Sequence, residues 1–252
     1  MSPTELADYL ETARITGEVA TPRENNLSHI RRFLAQEENF DFGVELTRDW
    51  DFDSVFALMV AECGLRPDPA FTEGVDTIST ANCIAGLDRL RQIVAEVASD
   101  GGRILFATGH PGGLFPVHAG LAAWAQSLGA DIVLPGSGTP VPGRGGWLIH
   151  MNRVWLWHHL AGQPHTHYPE PMAALLDALP ALGQELPDLV VADHGWAGTA
   201  GSRGLRTVGF ADCNDPALFV AAAQGQLELT IGLDDGVYPE LYAPMTEYLT
   251  RP

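Results

Sequence analysis

Imidazoles and carboxylates that could do acid–base or metal chemistry gather in a few short segments: Gly109–His110, His165–Thr166–His167, Asp193–His194 and Asp212–Cys213–Asn214–Asp215. Asp193 and His194 close the apolar run Leu189–Val190–Val191–Ala192, and Asp212, Asn214 and Asp215 close Thr207–Val208–Gly209–Phe210–Ala211. Runs that are continuously apolar, rather than alternating, are typical of parallel strands buried on both faces. In open α/β sheets ligands bind beyond the carboxyl ends of such strands, so these polar groups should share one edge. Carboxylates crowded there repel one another and are costly to bury unless protons or a cation compensate. A divalent ion on oxygen ligands answers that need, and Asp193, Asp212, Asn214 and Asp215 form a candidate set suited to Mg²⁺ or Mn²⁺. Such an ion can activate water and neutralise charge on a phosphoryl oxygen. Helix capping explains Asp215 before Pro216 equally well. A third apolar run, Leu227 to Leu233, ends in Asp234–Asp235–Gly236, which reads as turn chemistry.

His165 and His167 lie in a proline-bounded loop. Side chains two apart in extended chain point the same way, a spacing that suits a substrate or metal contact. Upstream, Arg103 to Ala107 reads as a strand and Leu114 to Leu128 as a helix, joined by Thr108–Gly109–His110–Pro111–Gly112–Gly113. Backbone amides of a glycine-rich turn at a helix N-terminus can approach an anion, so Thr108, Gly109, Gly112 and Gly113 are candidate phosphate contacts together with His165 and His167. The turn is neither GxGxxG nor a Walker loop, and a tight strand-to-helix connection needs glycine in any case. His110, in that loop, is a candidate acid or nucleophile, and Asp193 and His194 complete the catalytic candidates. His150, His158 and His159 lie beside large apolar residues and read as structural.

The elements that must position these groups follow from the rest of the chain. Residues 1–100 place apolar side chains at helical spacing in several stretches, most clearly Ile84, Leu87, Leu90, Ile93, Val94 and Val97. The expected architecture is a Rossmann-like, doubly wound α/β fold with a mostly parallel sheet over residues 101–252 and a helical N-terminal layer over 1–100, together one compact unit. Every basic residue is Arg and none is Lys, which excludes Schiff-base, P-loop and kinase-lysine chemistry. A formal net charge of −18 disfavours nucleic acid and anionic membrane as partners. Three isolated cysteines suggest neither a disulfide framework nor a cysteine zinc site. With no apolar stretch of spanning length and no signal-like N-terminus, the expected location is cytoplasmic. Asp49–Trp50–Asp51–Phe52–Asp53 superficially resembles the paired aspartates of haloacid-dehalogenase phosphatases, but Leu46–Thr47–Arg48 before it is no buried strand, and a helix N-cap is the better reading.

Five linked motifs, ATGHPGGL (107–114), HTHYPEPM (165–172), VVADHGWAGTAG (190–201), GFADCNDPALFVA (209–221) and GLDDGVYPELYAP (232–244), resemble a bacterial family whose members are known simply as phosphatases. The resemblance spans about residues 80–245 and implies phosphomonoester hydrolysis, with His110, His165, His167, Asp193, His194, Asp212, Asn214 and Asp215 as the matching site positions. There is a looser likeness to metal-dependent carbohydrate-phosphate phosphatases, from which the chain departs in having Gly109–His110 where their Asp–Asn pair falls, and no lysine. The expected activity is metal-dependent hydrolysis of a small phosphorylated metabolite, with homo-oligomer formation left open. A nucleotide-dependent oxidoreductase, a metal-dependent amidase or deacetylase, and a non-catalytic sugar-phosphate or nucleotide binder are the alternatives. The missing dinucleotide fingerprint counts against the first.

Overall fold

The structure, a computed structural model, describes residues 1–251. In chain order the elements are α1 (Pro3–Thr12), β1 (Gly17–Pro22), α2 (Arg23–Leu34), α3 (Phe52–Leu58, continued by one π turn over Met59–Cys63), β2 (Val75–Ile78) and α4 (Thr80–Ser99). Then come β3 (Arg103–Ala107), α5 (Phe115–Ser127), β4 (Asp131–Ile132), β5 (Trp147–Met151), β6 (Val154–His158), α6 (Glu170–Ala181) and β7 (Leu189–Asp193). The chain closes with α7 (His194–Ser202), β8 (Thr207–Ala211), α8 (Pro216–Ala223), β9 (Leu229–Gly232), a 3₁₀ turn (Pro239–Tyr242) and α9 (Ala243–Thr250).

The main sheet runs in the order β5-β6-β3-β7-β8-β9, and β4 pairs with the start of β3. All its pairings are parallel except the β5–β6 hairpin. Strands β7 and β8 are buried at every position, as their unbroken apolar character requires. Side chains alternate across the sheet. Ile104 and Phe106 join Leu189, Val191, Val208 and Phe210 under α1, α4, α5 and α9, while Leu105, Ala107, Val190 and Ala192 face α6, α7 and α8. This is the doubly wound α/β arrangement. The N-terminal helices cover both of its faces: α1 and α4 lie on one, and α2 and α3 on the other. They also bring a small antiparallel sheet, β1 with β2, which helical periodicity does not announce. Asp51 caps α3, its side chain accepting from the Ser54 amide, so the N-cap reading of the Asp49–Asp53 segment holds.

The N-terminal region is held by a buried ion pair. Arg23, wholly buried on α2, donates to Asp76 Oδ2 at 3.0 Å and to the carbonyls of Phe71 and Asp68. Asp76 also accepts from Asn26 Nδ2 and the Arg66 amide. Removing one partner of a buried pair leaves an uncompensated charge, at a cost of about 3–5 kcal/mol. Asp76→Ala should therefore lower unfolding stability by about that amount in a urea titration. A loss within the error of the titration would show that Arg23 finds other compensation.

Candidate active site

Asp193, the last residue of β7, is fully buried. Its Oδ1 accepts from the Gly109 amide at 2.6 Å and from His194 Nδ1 at 2.9 Å, and its Oδ2 accepts from Thr108 Oγ1 at 2.6 Å and from His118 Nε2 at 3.0 Å. Burial favours the neutral acid, but the hydrogen bonds from His118 and His194 outweigh it and hold the carboxyl well below the usual range. One ionised group thus fixes the β3 loop, α5 and the first residue of α7. His194 takes φ 46° there, a left-handed conformation that is costly for a residue with a side chain and that persists where its surroundings impose it.

Three more imidazoles converge on His194. Its Nε2 lies 3.1 Å from His165 Nε2, which is 3.0 Å from His167 Nε2, and the His110 ring stacks on His165 at 4.4 Å between centroids. His167 Nδ1–H donates to the Asn39 carbonyl at 2.7 Å, which turns its Nε2 inward. The His165–His167 loop comes this close because the second residue of α7 is glycine: a Cβ on Gly195 would overlap the carbonyls of His167 and Tyr168. Phe42, from the same segment as Asn39, packs edge-on against His167.

Carboxylates enter from the other side. Asp235 Oδ2 lies 3.3 Å from both His110 Nδ1 and His194 Nε2, and Asp215 Oδ2 is 3.8 Å from His194 Nε2. Asp235 Oδ2 and His110 Nδ1 are buried without a well-aligned hydrogen bond. Two groups of three donors share His194: His110, His165 and His194, and the more deeply buried His194, Asp215 and Asp235, the donor atoms of each lying within 4.8 Å of one another. Charge is unevenly balanced. Burial opposes protonation of His194, but its bond to Asp193 and the fields of Asp235, Asp193 and Asp215 prevail and lift its pKa to about 10. His110, also buried, is raised by Asp235, and Asp235 is lowered by His110 and His194 despite burial. Burial and Asp235 push Asp215 up to about 7, with His194 offsetting part of the rise. Asp212 is raised well above the carboxylate range by burial and by Asp235, Asp234 and Asp215. Asp212, Asp215, Asp234 and Asp235 are buried close to one another, and their mutual repulsion must be met by protons or a cation.

A family model described as Phosphatase matches residues 1–251. The chain belongs to the Phosphatase family. It is similar to a Streptomyces coelicolor protein named Phosphatase SCO2771, with 46% identity over 250 residues that cover 98% of this chain and 95% of the relative. The family makes it a hydrolase, and the motifs singled out in the sequence converge on the cluster around His194.

Within that site, His110, His165, His167, Asp193, His194 and Asp215 come together. Three assignments drawn from the sequence change. Asp193 has no acceptor site left for an ion and orients histidines instead, the role a carboxylate takes behind a metal-bound imidazole. Asp212 accepts from Thr21 Oγ1 and the Cys213 amide, both at 2.6 Å, and the Asn214 carbonyl accepts from His29 Nδ1. Asp212 lies outside the donor groups. The 108–113 turn is no free anion cradle: the Gly109 amide serves Asp193, the His110 amide serves Thr108 Oγ1, and the Gly113 amide serves the His110 carbonyl. Gly109 and Gly113 are glycine because a Cβ would overlap the carbonyls of Thr166 and Asp235, whereas Gly112 faces open space. Asp235, read as a turn residue, belongs to the site, although Asp234 does accept from the Gly236 amide as a turn residue would. His118 was missed altogether, since nothing but one imidazole in the apolar face of α5 signals it.

Two predictions follow from this geometry. Gly109→Ala and Gly113→Ala should each destabilise the fold by about 1–3 kcal/mol through overpacking, while Gly112→Ala leaves the melting temperature unchanged. Equal effects at the three positions would contradict the close backbone approach. His167 has its pKa lowered to about 3, by burial first and then by the His194 and His165 charges. The unfolded chain, titrating near the ordinary value of about 6.5, takes up that proton first as the pH falls. The contribution of neutral His167 is therefore intact above that value and is lost progressively towards the folded pKa. In metal-free protein His167→Asn should shrink the drop in Tm between about pH 7.5 and about pH 5. An unchanged drop would show that His167 is not held neutral.

Proposed function

We propose that the chain is a metal-dependent phosphatase of small phosphomonoesters that works at the His110, His165, His194, Asp215 and Asp235 cluster. The observation that carries this reading is Asp235 Oδ2, buried without a well-aligned hydrogen bond 3.3 Å from His194 Nε2 in a group completed by Asp215. Its surplus of carboxylate charge and its unfilled acceptor fit a divalent ion, which His194, Asp215 and Asp235 would hold. One imidazole among carboxylate oxygens suits Mn²⁺ better than Mg²⁺, since imidazole favours the transition metals. A cation there neutralises phosphoryl charge and activates water.

The chain's own groups supply the remaining parts. Burial works against protonation of His110, but Asp235 prevails and raises its pKa, which favours the protonated form and suits it to act as the acid for the departing alkoxide, the role that fits better than nucleophile. His165 and His167, with pKa values lowered to about 4 and about 3 by burial and neighbouring imidazolium charge, are neutral; His167, whose N–H goes to Asn39, offers a lone pair at Nε2, and His165 a lone pair or an N–H. Asp193 keeps His194 in the orientation that exposes Nε2 to the cluster.

Metal-stripped protein should lose phosphatase activity and melt at a lower temperature, with Mn²⁺ restoring both. Full activity in protein shown to be free of metal would remove the metal from the proposal. His110→Ala should cut kcat by roughly two to four orders of magnitude on an alkyl phosphate and much less on an ester whose leaving group needs no proton. Loss of equal size on both esters would deny His110 the role of acid.

A further inference from the structure

The loop after β9 delivers two side chains in opposite directions. Asp235 turns inward to the cluster, and three residues later Tyr238 stands 79% exposed. The loop between them is held by the Asp234 amide donating to the Ile15 carbonyl, by Ala20 and Gly236 amides donating to Asp234 and by Tyr242 Oη–H donating to the Asp234 carbonyl. Beside it a groove of about 560 Å³ opens onto His110 and Gly112, with Arg14, Val237, Tyr238 and Leu241 on its walls. Arg14, in the turn between α1 and β1, donates to β1 from Nε to the Glu18 carbonyl and from Nη2 to the Val19 carbonyl.

The groove is far larger than a phosphoryl group and lies within the range of small-molecule sites. Apart from His110, Arg14 and Tyr238, its lining side chains are aliphatic or proline, or absent at glycine, with no carboxylate or amide among them. A polyol there would find hydroxyl partners only in His110, Arg14 and Tyr238 among the side chains, fewer than its hydroxyls need for their lost water. Arg14 and Tyr238 instead offer flat faces, a guanidinium plane and a phenol ring, on which a planar ring stacks.

We propose that this groove receives the alcohol half of the phosphate ester and selects a planar, ring-bearing alcohol, aryl or nucleoside, over a polyol. The inference rests on the proposed function, because His110 joins the groove to the cluster. Gly112, with nothing within 4 Å of where a Cβ would stand, adds no side chain to the groove wall beside His110. Loss of the stacking ring should weaken selection and leave the charge of the cluster untouched.

The test compares kcat/KM of the full chain with Mn²⁺ on phenyl phosphate, adenosine 5′-monophosphate and glycerol phosphate. At least one ring ester should exceed glycerol phosphate by about ten-fold, the order of a base–aromatic stack, and which of the two does so separates aryl from nucleoside. Tyr238→Ala should lower that ratio by about ten-fold and Tyr238→Phe should keep it. Calorimetric titration with phenylphosphonate and methylphosphonate gives a reading that needs no turnover. Tighter binding of phenylphosphonate, lost in Tyr238→Ala, supports the groove. Equal binding of the two phosphonates, or a ratio unmoved by Tyr238→Ala, overturns the groove and leaves the phosphatase reading standing. If neither phosphonate binds and no ester is hydrolysed, the phosphatase site itself falls, and the groove's role with it.

Discussion

The Asp193 carboxylate is the point on which the site's geometry depends. Its four hydrogen bonds join the turn after β3, the first turn of α5 and the start of α7. An ionised carboxylate this deeply buried is tolerable only when each lone pair is met. The requirement works both ways: Thr108, Gly109, His118 and His194 must be where they are for Asp193 to be charged, and Asp193 must be charged to hold them. His194 accepts a left-handed backbone in consequence, and its Nε2 is left facing the donor groups.

Around that fixed imidazole the loops divide their tasks. The segment from β9 brings Asp235, the turn after β8 brings Asp215, and the loop before α6 brings His165 and His167, so no single element builds the cluster. The N-terminal segment reinforces it from outside, with Thr21 on Asp212 and Ala20 on Asp234. Burying Asp212, Asp215, Asp234 and Asp235 together is unfavourable for stability alone. In the proposed function that stored repulsion is what gives the site affinity for a cation, a case of local cost retained where chemistry needs it.

Much of this was legible in the sequence because strands buried on both faces have an unmistakable composition. Leu189–Ala192 and Thr207–Ala211 announced β7 and β8, and with them the sheet edge at which Asp193, His194 and Asp215 meet. The HxH spacing gave the convergence of His165 and His167. What was not legible depended on partners distant in sequence. Asp193 looks like a ligand until its acceptors are seen to be filled by Thr108, Gly109, His118 and His194, and Asp212 until its oxygens are seen to be engaged by Thr21 and Cys213. Asp235 follows an ordinary turn motif, and only the position of His110 and His194 makes it part of the site. The glycines of the 108–113 turn suit an anion loop in composition, but the carbonyls of Thr166 and Asp235 that require them belong to other segments. For β1 and β2, four to six residues with mixed exposure leave too short a pattern to be read.

The central claim, that His194, Asp215 and Asp235 hold a divalent ion, is tested most directly by anomalous diffraction from crystals grown with Mn²⁺. The account predicts one strong anomalous peak within bonding distance of His194 Nε2 and of a carboxylate oxygen of both Asp215 and Asp235, with Asp193 still bonded to His118 and His194. A map with no peak there, or with its peak on Asp193, Asp212 and Asn214, would contradict it.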